Sequence, residues 1–240
     1  MNSPYNYIIK GQTKVLGFLM HTVGGKMSLK QDLEKALSEL KKEKERKFNQ
    51  TVDLIINLQK YDHKKNPLNL FISLPNKIKD KKICAFLETK NANVETITKI
   101  EFKKYSEKSE LKKLVKKFDF FIAQASVMAN VATSFGRVLG PVGKMPSPQL
   151  GILMNPNDKA INEVKDKINN SVKIRTKESC IKLAIGKQDM EDGKIVENIL
   201  TVYNAILKVL PREKENIKNI EVKLTMSKPI KITENGTKTG

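Results

Sequence analysis

Apolar residues recur along this chain with two distinct periods. Leu29, Leu33, Ala36, Leu37 and Leu40 fall at helical spacing behind Ser28 and Gln31, an S-x-x-Q capping box, so the pattern predicts a helix here. After the charge run Lys41 to Lys47, Val52, Leu54, Ile56 and Leu58 alternate with polar residues, as in a half-buried strand. Leu70, Ile72 and Leu74 alternate again before Pro75. Ile83 to Leu87 is a continuous apolar run, the mark of a strand covered on both faces. Leu111, Leu114, Val115 and Phe118 mark an amphipathic helix, Phe120 to Ala123 a second buried strand, and a short helix is expected after Ser126. Beyond Asn157 the pattern reverts. Asp158 is expected to cap a helix carrying Ile161, Val164 and Ile168; Val172 and Ile174 alternate, then Ile181, Leu183 and Ile185 before Gly186. A longer helix turns Ile195, Ile199, Val202, Ile206 and Val209 inward, and a last strand, Ile220, Val222 and Leu224, runs into Thr225-Met226.

Strand and helix alternate in the middle of the chain, which predicts a parallel α/β layer with crossover connections. The flanking segments read as α+β. The simplest architecture is a split α+β domain built from both chain ends, residues 27–77 and 157–240, with an α/β domain, residues 78–156, inserted between them. Asn76 to Lys82, with four lysines and few apolar side chains, is read as an interdomain crossing. Residues 1–26 read unlike the rest and are expected to form a disordered extension ahead of Met27.

Charge narrows the class of partner. The 240 residues carry 45 Lys and Arg against 26 Asp and Glu, a formal charge of +19. Such an excess destabilises a compact chain by self-repulsion and is offset by a polyanion, with nucleic acid ahead of an anionic membrane surface. Only Arg46, Arg137, Arg175 and Arg212 are arginines. Lysine is a compact point charge suited to phosphates, whereas bidentate base reading favours arginine, so backbone contacts should dominate. Cys84 and Cys180 each stand alone, which argues against a disulfide framework or a zinc site, and His21 and His63 are the only histidines. No apolar run approaches the ~20 residues of a membrane span. Neither a metal nor a cofactor is predicted.

The stretch Phe135 to Pro148, FGRVLGPVGKMPSP, holds three glycines and three prolines and looks like a phosphate-cradling loop. It fails that test. Gly143-Lys144 is followed by Met145 rather than Ser or Thr, Val138 stands where the first glycine belongs, and Pro141 removes a backbone N–H. A stiff, basic, multiply turned loop is expected instead. With catalytic pairs scarce as well, a nucleotide-dependent enzyme is disfavoured; a non-specific basic RNA-binding protein stays as the other alternative.

Five stretches stand in a familiar order: KFNQTVDL from Lys47, FDFFIAQ from Phe118, GPVGKMPSP from Gly140, VKIRT from Val172, and Thr225-Met226. Together they closely resemble the universal L-one family of the large ribosomal subunit, in its archaeal form, over about Met27 to Ile232. The resemblance implies a non-enzymatic protein in which a Rossmann-like parallel α/β domain is inserted into the split domain and joined to it by a flexible hinge. It also implies binding to large-subunit rRNA, a place in the mobile stalk beside the tRNA exit site, transient contact with departing deacylated tRNA, and neighbours among other ribosomal components in the cytoplasm. Repression of translation through binding of its own mRNA is implied as well.

Carried over, the RNA-binding residues are Lys47, Phe48, Gln50, Thr51, Lys173, Arg175, Thr176, Thr225, Met226 and Ser227. Secondary contacts in the inserted domain fall on Arg137, Gly140, Gly143 and Lys144. The chemistry is sensible by itself: an exposed Phe, a flat Met surface and short hydroxyl side chains read the shape of looped RNA while cations hold its backbone. Each residue also has a plainer reading. Phe48 and Met226 could be packing, Thr51 and Thr176 strand formers, and the glycine–proline loop a structural turn. Two departures stand out. Gln149 to Asn155 differs from the usual run after the loop, and Ser227, with Lys228 before Pro229, replaces the family's glycine after Thr-Met; the serine is expected to weaken that contact unless its hydroxyl or Lys228 compensates.

Overall fold

The computed structural model describes residues 29–42, 46–105, 107–176, 178–233 and 236–239. The expectations for residues 1–26 and for the Ser28 cap lie outside them. By its internal contacts the chain divides into two compact units, residues 69–174 and the two flanking segments.

In the unit made from the chain ends, β1 (Thr51–Leu58) is the second-to-last strand of a five-stranded sheet. It pairs antiparallel with β8 (Cys180–Lys187) on one side and β9 (Ile217–Leu224) on the other. Beyond β9 follow β10 (Ile230–Thr233) and β11 (Gly236–Thr239). The predicted alternation is realised on β1: Val52, Leu54, Ile56 and Leu58 are buried while Thr51, Asp53, Ile55 and Asn57 are half-exposed. Helix α1 (residues 29–41) buries Leu33, Ala36, Leu37 and Leu40, and α5 (Asp192–Val209) buries Ile195, Ile199, Val202 and Ile206. Val209, read as inward, lies exposed in the last turn of α5. At Gly186 α5 packs closely on the sheet, since a Cβ there would stand 3.0 Å from Ile195 Cγ1. The β1–β8 register slips between Val52 and Asp53, so Ile185 is the extra residue of a bulge near the strand end.

The other unit carries a parallel sheet in the order β4 (Glu95–Thr98), β3 (Ile83–Leu87), β5 (Phe120–Gln124), β6 (Ile152–Leu153). Every residue of β3 is buried because both faces are covered. Cys84 and Phe86 pack with Leu111, Leu114, Val115 of α2 (Lys108–Lys117) and Val131, Phe135, Leu139 of α3 (Met128–Val142). Ile83, Ala85 and Leu87 meet Ile161 and Ile168 of α4 (Asp158–Asn169) on the opposite face. Four rings, Phe86, Phe102, Phe121 and Phe135, lie within 4.9–5.8 Å of a neighbour's centroid at the heart of the first cluster. The mixed architecture is the one the periodicity predicts: an antiparallel sheet from both chain ends and a central parallel sheet.

Two details differ from expectation. The units divide at residues 68/69 and 174/175 rather than at 77/78 and 156/157. Helix α4 belongs to the parallel sheet because its stripe completes the core under Ile83, Ala85 and Ile122. The lysine-rich 76–82 segment is held there too: the Lys81 ammonium donates to the carbonyls of Ile168 and Ser171, and its N–H to Asn169 Oδ1. The strands at the two boundaries, β2 (Asn69–Ser73) and β7 (Ser171–Arg175), pair with each other as a two-stranded ribbon.

The glycine–proline stretch, second, is mostly helix. Helix α3 continues through Gly140 and Pro141 to Val142, with Pro141 in its last turn at the cost of one backbone N–H bond. The helix stops at Gly143, whose φ of 78° suits glycine; its N–H bonds Gly140 O at 3.0 Å while Lys144 N–H bonds Leu139 O at 3.0 Å, a Schellman closure.

Candidate nucleic-acid interface

One end of the antiparallel sheet gathers seven of the residues singled out in the sequence. Strand β1 starts there, β8 finishes there, and β9 turns back through Thr225 and Met226. Thr225 Oγ1 accepts from Thr51 N–H at 3.1 Å and lies 3.3 Å from Thr51 O, so one hydroxyl extends the β1–β9 ladder past its last backbone pair. Gln50 is only 3% exposed. Its carbonyl accepts from Gln188 N–H at 2.8 Å and its Oε1 from Met226 N–H at 3.1 Å, which fastens the ends of all three strands together. Ser227 is buried, with its Oγ 2.8 Å from Leu224 N.

Two large apolar residues of the segments that meet here are open to solvent, Phe48 at 52% and Met226 at 60% exposure. An exposed aromatic and an exposed thioether each offer polarizable surface for a base, and their exposure removes the reading of either as core. Lys47 and Lys228 are exposed and Lys187, opposite Thr51, is half-exposed, so cations rim the same end. Farther along the sheet Asp53 faces Lys223 across the β1–β9 pair; burial pushes its carboxyl up, partly countered by that lysine. Gln188 was not among the residues read from the sequence. Its one signal is its place two residues past the close-packed Gly186.

The remaining candidates lie elsewhere. Thr176 is buried, accepting from Leu68 N–H at 2.9 Å through Oγ1 and donating its own N–H to Leu68 O at 3.0 Å, so it closes the chain segments beside the ribbon rather than facing a ligand. Arg175, next to it, is exposed. Lys173 on β7 donates to Gly143 O at 2.7 Å and lies 5.1 Å over the Phe71 ring. Arg137 is exposed on α3, and Gly140 sits in that helix's last turn. Lys144 donates to Val115 O at 2.8 Å and Phe118 O at 2.6 Å, capping the end of α2, and burial lowers its affinity for its proton. That ammonium holds two helix ends together; the structural reading of this turn accounts for it. The altered segment 149–155 leads into β6, where Gly151 and Ile152 meet β5 at Ala123.

Among the described residues, no cluster of His, Cys, Asp and Glu could hold a metal ion, and no helix is long and apolar enough to cross a membrane. Burial pushes the lone Cys84 thiol up to about 12, far from a nucleophile's range.

The fold is a mixed α/β one, an antiparallel sheet from both chain ends and a central parallel sheet, with half of the candidate residues at one cation-rimmed strand end. Residues 40–228 match the model of the ribosomal protein L1p/L10e family. The chain is 38% identical over 213 residues to the large ribosomal subunit protein uL1 of Thermoplasma acidophilum, covering 84% of this chain and 95% of that one. It is 36% identical to the protein of that name from Nanoarchaeum equitans, over 79% and 93% of the two chains, and 34% to that of Methanothermobacter thermautotrophicus, over 85% and 100%. The chain belongs to the ribosomal L1 family, a family of ribosomal proteins and not of enzymes.

Proposed function

We propose that this protein is the stalk protein of the large ribosomal subunit and binds large-subunit rRNA through the strand end built by Gln50, Thr51 and residues 225–227. The unit made from the chain ends is then the principal RNA-binding domain. Phe48 and Met226 supply the base-facing surface, while Lys47, Lys187 and Lys228 neutralise phosphates around it. Gln50, Thr225 and Ser227 are spent on the strand ends and contribute by holding that surface rather than by reaching for RNA. Arg175, Lys173 and Arg137 are secondary phosphate contacts. In the cytoplasmic ribosome the protein lines the tRNA exit site and assists the departure of deacylated tRNA, and it represses its own mRNA by binding a similar RNA shape.

The observation that carries this reading is the exposure of Phe48 and Met226 at a hydrogen-bonded, cation-rimmed strand end. The test is a titration of the full chain against the stalk helix of large-subunit rRNA, its own mRNA leader, and a scrambled RNA at one fixed salt concentration. Affinity for the first two should exceed that for the scrambled RNA by about 10³ or more, the scale of specific nucleic-acid readers. Equal affinity for all three would make the protein a non-specific basic RNA binder.

A further inference from the structure

Met226 lies in a turn whose backbone is bonded by two buried side chains, Ser227 and Gln50. Ser227 N–H donates to Leu224 O at 3.2 Å, which closes the four-residue turn. The Ser227 hydroxyl then accepts from Leu224 N–H at 2.8 Å and donates toward Lys228 O at 3.1 Å. The backbone N–H of Met226 itself goes to Gln50 Oε1 at 3.1 Å. Gln50 is fixed in turn by Gln188, through its carbonyl at 2.8 Å and its Nε2 at 3.4 Å. Neither polar side chain faces a ligand, since Ser227 is 9% exposed and Gln50 3%.

No residue of this turn takes a positive φ; among the described non-glycine residues only Lys60 and Glu213 do. The backbone therefore has no need of glycine at 227, and what the serine adds is its inward hydroxyl. A glycine would leave Leu224 N–H without this acceptor and widen the range of conformations open to Met226.

We infer that Ser227 and Gln50 are positioning residues for RNA binding: they hold the Met226 turn in its bound shape before RNA arrives, and they act on affinity only through Met226. The inference rests on the RNA-binding reading of this strand end. Holding the turn in advance removes the cost of ordering it at the moment of association, so its loss should appear in affinity without a change in the number of phosphates neutralised.

The experiment is a double-mutant cycle on the full chain, with the large-subunit rRNA stalk helix as probe and thermal midpoints recorded beside each titration. Ser227→Ala and Gln50→Ala should each weaken binding about fivefold, the worth of one net hydrogen bond. In a Met226→Ala background the same changes should alter affinity by less than about twofold, the margin of additivity for uncoupled sites. Ser227→Thr, which keeps the hydroxyl, should bind as the unaltered chain does, and all the salt slopes should coincide. Equal losses with and without Met226 would overturn the inference, because the hydroxyl and amide would then act on the fold at large. So would full affinity in both Ser227→Ala and Gln50→Ala. Should Met226→Ala alone leave affinity unchanged, the failure lies one step earlier, with Met226 as an RNA contact. If Ser227→Ala melts too early to titrate, the Gln50→Ala arm decides.

Discussion

Replacing Phe48 by alanine separates recognition from stability. A fully buried phenylalanine costs about 3–5 kcal/mol when cut back to alanine, most of it transfer and cavity energy. Phe48 is 52% exposed and lies in the irregular segment ahead of β1, so its share of fold stability is less than half of that. The thermal midpoint should fall by no more than about 10 °C, at roughly 2–4 °C per kcal/mol for a chain of this size. Base–aromatic stacking removed by alanine substitution is worth about 1–3 kcal/mol, a loss of roughly 5- to 150-fold in affinity. Because phenylalanine carries no charge, the dependence of log affinity on log salt should keep its slope. Parallel titrations of the parent and Phe48→Ala chains against the rRNA stalk helix at several salt concentrations, with calorimetric melts, measure all three quantities. Unchanged affinity with a sharply lowered midpoint would refute the reasoning and return Phe48 to the core.

Three other outcomes follow from particular contacts. Affinity should fall steeply with salt, by about 0.7–0.9 log units per log unit for each phosphate contact, and Lys47→Ala should reduce that slope by about one contact; an unchanged slope would remove Lys47 from the interface. Gly186→Ala forces a Cβ against Ile195 and should destabilise the chain by about 1–3 kcal/mol, read as a lower denaturant midpoint; a neutral result would mean that α5 yields easily. Lys81 has its pKa pulled down to about 8 from the ordinary 10.5, by burial first, with Asp119 opposing and Lys79 adding to the fall. Between those values the unfolded chain holds more protons than the folded one, so this lysine makes stability rise with pH from about 8 to 10.5. The rise should shrink in Lys81→Met, measured as melting midpoint against pH, and identical profiles would contradict the burial argument.

Periodicity made most of the fold legible. The alternation on β1 identified its buried face, and the unbroken run Ile83–Leu87 announced a strand covered twice. What pattern alone could not decide was which sheet an amphipathic stripe covers. Ile161 and Ile168 have the same spacing whether α4 packs on the terminal sheet or on the central one, and only the assembled core assigns them to the latter. The Gly140-Pro141 pair misled for a local reason: the proline forfeits one N–H bond without ending the helix, and α3 runs one residue past it to a glycine cap. Chemistry was legible in type and less so in role. Lys47, Phe48, Gln50, Thr51 and residues 225–227 lie at one sheet end, where Gln50 and Ser227 spend polar atoms on backbone groups, as Thr176 does elsewhere. A polar side chain beside a strand end reads the same in sequence whether it faces a ligand or ties two strands.

The central claim is that RNA rests on the end of the antiparallel sheet where β1 begins and β9 turns back. Photocrosslinking of the full chain to the rRNA stalk helix, with adducts located by peptide mass spectrometry, examines that claim most directly. Adducts should concentrate on Phe48 and Met226 and the residues beside them. Adducts confined to the parallel-sheet unit, with residues 47–51 and 225–228 unmodified, would contradict it.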